Sequence, residues 1–234
     1  MIFPVFLCVL WGEGLDLNPD HDDFAAQRER MLRSQLGERG IHDVRVLAAM
    51  RNVPRHEFVP ANLQANAYED HPLPIGEGQT ISQPYIVAAM LDRLALQAGD
   101  RVLEIGTGSG YVTALLSMLC AEVYSVERHA QLAASAGSTL RRLEYGNVTI
   151  RVGDGREGWE EYAPFDAILV SAATAEIPPA LFTQLREGGR LMAPIGPPSS
   201  QELQLICKVH GQPEVKILEG CRFVPLVEGA ADNF

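Results

Sequence analysis

The spacing of apolar positions changes near residue 99. Upstream, residues 22–50 set Phe24, Met31, Leu36, Val44 and Leu47 among Gln, Arg and Glu, an amphipathic helical pattern that Gly40 interrupts. Residues 85–97 show the same periodicity through Ile86, Val87, Met90, Leu91 and Leu94. Downstream, short apolar runs alternate with helical stretches. RVLEIG at 101–106 precedes a helix over 111–120; EVYSVE at 122–127 precedes a helix over 129–143. NVTIRVGD at 147–154, FDAILVSA at 165–172, a helix entered through Pro178-Pro179 and GGRLMAPIG at 188–196 continue the series. This rhythm predicts an α/β fold with a doubly wound, mostly parallel sheet, because parallel neighbours need a crossover and a helix supplies it. Two further strands, 201–209 and 214–226, flank the turn composition of 210–213 and bring the number to seven. Residues 67–84 hold three prolines and two glycines without a periodic apolar face, so they are expected to be irregular and functional.

A chain of 234 residues suits one domain with an appendage. Residues 1–21 are expected to be an extension outside the domain and 22–234 the domain itself. Within it, 22–98 form a helical and substrate-loop subregion, 99–200 a cofactor-binding core and 201–234 the closing strands. The opening run MIFPVFLCVLW is apolar but shorter than the roughly 20 residues a membrane span needs. A secretory leader, the alternative, would place basic residues ahead of it, and the first is Arg28. The net charge of −11 repels phosphate backbones, so neither nucleic acid nor a membrane is an expected partner. Cys8, Cys120, Cys207 and Cys221 form no CxxC and the six histidines no HExxH, so no metal is expected.

The strongest local signal is Glu104-Ile-Gly106-Thr107-Gly108-Ser-Gly110-Tyr111, which follows a strand and opens a helix. Glycines there let the backbone turn tightly and approach a ligand. A dinucleotide loop wants GxGxxG, and its third glycine position is Tyr111 here, which argues against a pyrophosphate ligand. Glu127 ends the second strand of the core, placed to accept from ribose hydroxyls. Asp154, after the third, is placed to accept from an adenine amino group. Together these features suit S-adenosyl-L-methionine, which carries adenosine and an amino-acid tail but no phosphate. Glu104 is expected toward the cationic end of that ligand; the alternative is a cap for the loop amides.

The run from Met31 to Leu226 resembles the bacterial protein-L-isoaspartate O-methyltransferases. The resemblance rests on VPRHEFVP, AYEDHPLPIGEGQTISQPYIVAAM, RVLEIGTGSGY, VYSVER, GDGREGW, PFDAILVSAA, QLREGGRLMAPIG and RFVPL, in that order. LPIGEGQTISQP is the most specific of them. The resemblance implies a class I, Rossmann-like methyltransferase fold. It implies methylation of the free α-carboxylate of L-isoaspartyl residues in damaged proteins and peptides, starting repair through a succinimide. It further implies a cytoplasmic monomer, with Ser82 as the catalytic candidate. Thr80, Ile81, Gly106, Thr107, Gly108, Gly110, Arg128 and Gly155 would join Glu104, Glu127 and Asp154 around the cofactor. Ile81, Ser82, Val224, Pro225 and Leu226 would hold the substrate. Two departures stand outside the core motifs: the first 20 to 30 residues have no counterpart, and the tail is shorter than in animal members.

A carboxylate is already ionised at neutral pH, so methyl transfer to it needs positioning more than proton transfer. Ser82 is therefore expected to orient the substrate carboxylate by its hydroxyl, helped by backbone N–H groups near Ile81 and Val224. The alternative for Ser82 is a helix N-cap ahead of Pro84, and for Thr80 a turn hydroxyl. Tyr68, Trp159 and Tyr162 suit the core or rim, Glu160-Glu161 a solvated face, and His71 has no assigned task. Two rivals remain: a methyltransferase acting on a small molecule or nucleic acid, and a cofactor-sensing module without catalysis. A base-amino methyltransferase would carry [ND]-P-P-[YF] where this chain has Val170-Ser-Ala-Ala173.

Overall fold

The computed structural model describes residues 19–231, so most of the expected extension lies outside the described residues. Helix α1 (Pro19–Arg30) passes into a π-helical turn (Met31–Leu36) and a 3₁₀ turn (Gly37–Arg39), ending at Gly40 with φ 90°. Helix α2 (Val44–Asn52) starts afresh behind Asp43, whose carboxylate accepts from the Arg45 N–H. The helical pattern over 22–50 breaks at Gly40, where it was expected to be interrupted, because a left-handed glycine reverses the chain there.

Residues 67–84 are not wholly irregular. Strands β1 (Leu73–Gly76) and β2 (Gln79–Ile81) pair antiparallel around Glu77 and Gly78, whose φ values of 51° and 67° give the twist of a tight hairpin. Pro74 and a register shift hide the alternation that would have announced it. Helix α3 (Pro84–Leu94) follows, with proline at its first turn, where the missing N–H is harmless.

The core then unrolls as β3 (Arg101–Ile105), α4 (Tyr111–Leu119), β4 (Glu122–Glu127), α5 (Ala130–Arg142), β5 (Val148–Val152), β6 (Phe165–Val170), α6 (Pro179–Gln184), β7 (Leu185–Ile195), β8 (Gln201–Val209) and β9 (Gln212–Cys221). The sheet order is β5-β4-β3-β6-β7-β8-β9. The first five of these strands run parallel, and β8 is antiparallel to both its neighbours. The seven expected strands are present, but the last stops at Cys221. Residues 222–226 leave the sheet as a strap, tied back by the Gln201 side chain of β8, which bonds the Phe223 backbone, and by a bridge from Pro225 to Ala173.

Successive residues of β3 point to opposite layers. Val102 packs with α3 and α4, while Leu103 and Ile105 pack with Trp159, Phe165 and Leu181 on the other face. That second face has short cover, so aromatic side chains fill it: Tyr124 stacks on Tyr162 with centroids 4.2 Å apart and meets Trp159 edge-on at 5.8 Å. The chain winds from β3 outward to β5, then crosses to β6 on the other side. The carboxyl ends of β3 and β6 therefore diverge, and a crevice opens there.

Gly110 (φ 88°) heads α4, and a Cβ built on it would lie 3.2 Å from Ala136 Cβ and 3.3 Å from Leu140 Cδ1 of α5. Gly110→Ala meets both a backbone and a packing penalty, so it is expected to lower stability by about 1–3 kcal/mol. Urea unfolding would show a lower midpoint at unchanged slope; an unchanged midpoint would refute this.

Candidate active site

The crevice wall begins with the glycine loop after β3. Gly106 and Gly108 take φ values of 93° and 53°, which turns their N–H groups inward toward β4. Gly106 N–H donates to Val126 O at 2.8 Å, and Gly108 N–H donates to Glu127 Oε2 at 2.8 Å. The other oxygen of Glu127 accepts from His129 N–H at 2.9 Å. Glu127 is 4% exposed and lines the crevice. Across from it stand Gly155, Ser171 and Ala172. A Cβ on Gly155 would lie 2.4 Å from Ile105 Cγ2, so only glycine passes there.

Two segments roof the crevice. One is the β1–β2 flap, contributing Gln79, Thr80, Ile81 and Ser82. Its tip reaches across, with Glu77 Oε2 3.7 Å from His129 Nδ1. The other is the strap, contributing Val224, Pro225, Leu226 and Val227. Ala173 N–H donates to Val224 O and Leu226 N–H to Ala173 O, each at 2.7 Å. Farther along, Gly229 N–H donates to Asp154 Oδ2, Ala231 N–H to Arg128 O, and Arg156 pairs with Glu228 at 2.7 Å.

Of the residues singled out from sequence, the structure brings Thr80, Ile81, Ser82, Gly106, Thr107, Gly108, Glu127, Arg128, Gly155, Val224, Pro225 and Leu226 onto one crevice. Glu104, Gly110 and Asp154 do not line the crevice, and each meets a partner behind its wall. Gly110 serves helix packing, as described above. Asp154 accepts from Arg156 N–H and Gly229 N–H, so its carboxylate ties the strap down. Glu104 points into the α4 layer, where its Oε2 accepts 2.6 Å hydrogen bonds from Thr113 Oγ1 and Ser125 Oγ. It caps no loop amide. The Ser125 hydroxyl also bonds Thr107 Oγ1 at 2.6 Å, so the Glu104 carboxyl supports the loop through one intermediary.

Ser82 is not an N-cap. Gln83 occupies that position at φ −50° and ψ 134°, and its side chain instead reaches Asp70 Oδ2 at 2.8 Å. A residue before proline is held to such extended angles. The Ser82 carbonyl accepts from Arg55, while its hydroxyl lines the crevice without a hydrogen bond among the described residues. Sequence reasoning missed Tyr111, His129 and Ser171 as wall residues. Their places after β3, β4 and β6 were the available signal, since ligands in such sheets sit at carboxyl ends of strands. His71 lies away from the crevice, bonded to Glu69 at 2.7 Å.

Burial pushes the Glu104 carboxyl up to about 8; the Ser125 and Thr113 hydroxyls oppose this shift and the Glu127 charge adds to it. Between its unfolded value near 4.5 and about 8 the folded chain therefore binds the extra proton. The stability this contributes is full below pH 4.5 and is lost as pH rises through 8. Glu104→Gln removes that titration. Its stability relative to the parent chain is expected to rise from pH 5 to pH 9 in urea unfolding, and a pH-independent difference would refute the assignment.

The sequence profile of the family described as protein-L-isoaspartate(D-aspartate) O-methyltransferase matches residues 26–231. A protein-L-isoaspartate O-methyltransferase of Koribacter versatilis is 53% identical over 210 residues, covering 90% of this chain and 95% of the relative. One from Opitutus terrae is 55% identical over 200 residues, covering 85% and 86%. A solved protein-L-isoaspartate O-methyltransferase aligns with TM-score 0.77 at 32% identity, over 86% of this chain and 66% of that longer one. A structure described as a putative protein-L-isoaspartate O-methyltransferase from Plasmodium falciparum, in complex with S-adenosyl-L-homocysteine, aligns with TM-score 0.74 at 29% identity, covering 87% and 98%. With the crevice, flap and strap all inside the matched span, the chain belongs to the protein-L-isoaspartate O-methyltransferase family.

Proposed function

We propose that this chain transfers the methyl group of S-adenosyl-L-methionine to the free α-carboxylate of L-isoaspartyl residues, with Ser82 orienting that carboxylate. One observation carries the residue assignment: the unengaged Ser82 hydroxyl opens onto the same crevice as Glu127. The wall suits the cofactor. Each oxygen of an ionised Glu127 accepts one backbone N–H and keeps a lone pair for a ribose hydroxyl. The positive φ of Gly106 and Gly108 lets the loop backbone itself form the crevice wall. Thr80, Ile81, Thr107, Arg128 and Gly155 would complete the cofactor's surroundings.

When bound, the cofactor supplies an electrophilic methyl group on a sulfonium. The chain's residues have to hold the nucleophile in line with it, within roughly 3.5 Å, and keep water out. Ser82 donates to one oxygen of the substrate carboxylate and leaves the other free to react. Ile81, Val224, Pro225 and Leu226 bracket it with apolar surface. No proton needs to move, because the carboxylate arrives ionised. Opposite charges disappear in the step, which a dry crevice favours over water. The methyl ester then leaves; methanol departs more readily than water when the neighbouring backbone nitrogen attacks, giving a succinimide that hydrolyses partly to normal aspartyl.

Protein and peptide substrates, rather than nucleic acid, suit a chain of net charge −11. Among the described residues no helix is long and apolar enough to cross a membrane. Free thiols at Cys120, Cys207 and Cys221 suit a reducing compartment such as the cytoplasm, with the chain acting as a monomer.

The reading is tested with labelled cofactor and two peptides that differ only in Asp versus isoaspartyl. Base-labile label on the isoaspartyl peptide alone is the expected result; equal labelling or none sinks the reading. Ser82→Ala is expected to lower turnover about tenfold to a hundredfold while S-adenosyl-L-homocysteine affinity stays within about threefold. Loss of that affinity in calorimetry would move Ser82 to the cofactor side.

A further inference from the structure

Beneath the flap lies a charged residue that the proposed chemistry does not use. Arg55 is fully buried. Its Nε donates to Ala67 O and its Nη2 to Ser82 O, both at 2.7 Å. Those two carbonyls stand at either end of the segment 67–82 that carries the flap. Nη1 makes no hydrogen bond of normal geometry, and the guanidinium sits 4.8 Å from the Tyr111 ring centroid. The buried Tyr111 hydroxyl also lacks a bond of normal geometry, yet it is the first group to favour the Arg55 charge, ahead of Tyr68 and Asp70. The carboxylate that favours the Arg55 charge is Asp70, which is itself engaged by Arg39, Gln83 and the Tyr85 N–H. Arginine stays protonated in proteins, so a positive charge without a direct counter-ion is held behind Ser82.

Burying a charge is costly, and a core position would be filled more cheaply by an apolar residue. The contacts made explain the arrangement. A two-stranded hairpin is marginal by itself in water. Here it is short and must present Ser82 to a carboxylate within fractions of an ångström. Arg55 fixes the Ser82 carbonyl, and the restriction before Pro84 fixes Gln83, so the Ser82 side chain projects from a backbone held on both sides. The planar fork can hold two carbonyls at once, which a lysine's single ammonium does less rigidly.

We propose that Arg55 is a positioning residue, a buried guanidinium that clasps both ends of the segment carrying the flap and thereby sets Ser82 for the substrate carboxylate. It rests on the function proposed above. It acts on peptide binding more than on the cofactor, whose wall is built from the glycine loop and Glu127. Its charge also makes the substrate end of the crevice favourable to an anion without pairing directly with it, which would blunt the nucleophile.

The test uses the full chain and the variants Arg55→Lys and Arg55→Met. Losing the charged hydrogen bonds is expected to raise the isoaspartyl-peptide KM about tenfold or more in Arg55→Met. kcat at saturating peptide falls in the direction of Ser82→Ala while S-adenosyl-L-homocysteine affinity stays within about threefold, and Arg55→Lys recovers part of both losses. Hydrogen exchange is expected to accelerate in residues 67–83 and not in the strands of the large sheet. Unchanged KM with unchanged flap exchange overturns the proposal. So does exchange that quickens equally throughout, which makes Arg55 an ordinary core residue. If Arg55→Met does not fold, Arg55→Lys carries the same comparison at smaller amplitude. Failure of the parent chain to label the isoaspartyl peptide strikes the function reading instead, and the exchange result still judges the clasp.

Discussion

Glu127 joins the glycine loop to the sheet, and the crevice exists because of that junction. Its carboxylate takes one N–H from Gly108 and one from His129, so the turn after β3 and the turn after β4 share a single anchor. Hydrogen bonds to an ionised acceptor are stronger than neutral ones, and this one is almost wholly buried. The left-handed glycines make the turn sterically possible; the carboxylate decides which of its shapes persists. Without the junction the loop would have no reason to turn its N–H groups inward.

Behind this wall is a layer of support that never touches the crevice. Glu104 reaches Thr107 through the Ser125 hydroxyl, Asp154 holds the strap through Gly229, and Gly110 lets α4 pack on α5. Such residues brace the crevice without lining it. Burial makes the distinction physical. Glu104 is kept largely protonated near neutral pH by desolvation, so it contributes hydrogen bonds where a second negative charge beside Glu127 would be costly.

The parallel core was legible in the sequence because β3, β4 and β6 are buried on both faces and read as short apolar runs between helices, and the edge strand β5 keeps the same rhythm. EVYSVE begins and ends where the pattern put it, at Glu122–Glu127. The hairpin at Leu73–Ile81 was not legible, since strands this short, with Pro74 and Gly76 inside, show no alternation. The end of β9 was missed for a related reason: RFVPL is as apolar as a strand but is recruited to roof the crevice, a tertiary demand that local composition does not encode. Glu104 and Asp154 illustrate the limit for sites. Spacing puts an acidic residue at a strand end, but whether its carboxylate faces the ligand or the layer behind depends on the partners that meet it, Thr113 and Ser125 in one case and Gly229 in the other. Arg55 was invisible as chemistry because its partners are backbone carbonyls, which leave no trace in residue identity.

Charge is sorted along the crevice in the sense the reaction requires. A methyl donor is cationic and its acceptor anionic, and each has to be attracted without being trapped. On the donor side the ionised Glu127 is shared between two backbone amides, so its field is partly spent before it meets a ligand. On the proposed acceptor side the positive charge of Arg55 is set back behind the Ser82 carbonyl, so a carboxylate oriented by Ser82 would meet a neutral hydroxyl first. A guanidinium in direct contact would bind the carboxylate more tightly but stabilise the ground state more than the transition state, in which that negative charge is fading. In the proposed reaction, holding both charges one residue back would reconcile affinity with reactivity, and that gives a role to the cation a chain of net charge −11 keeps buried under its flap.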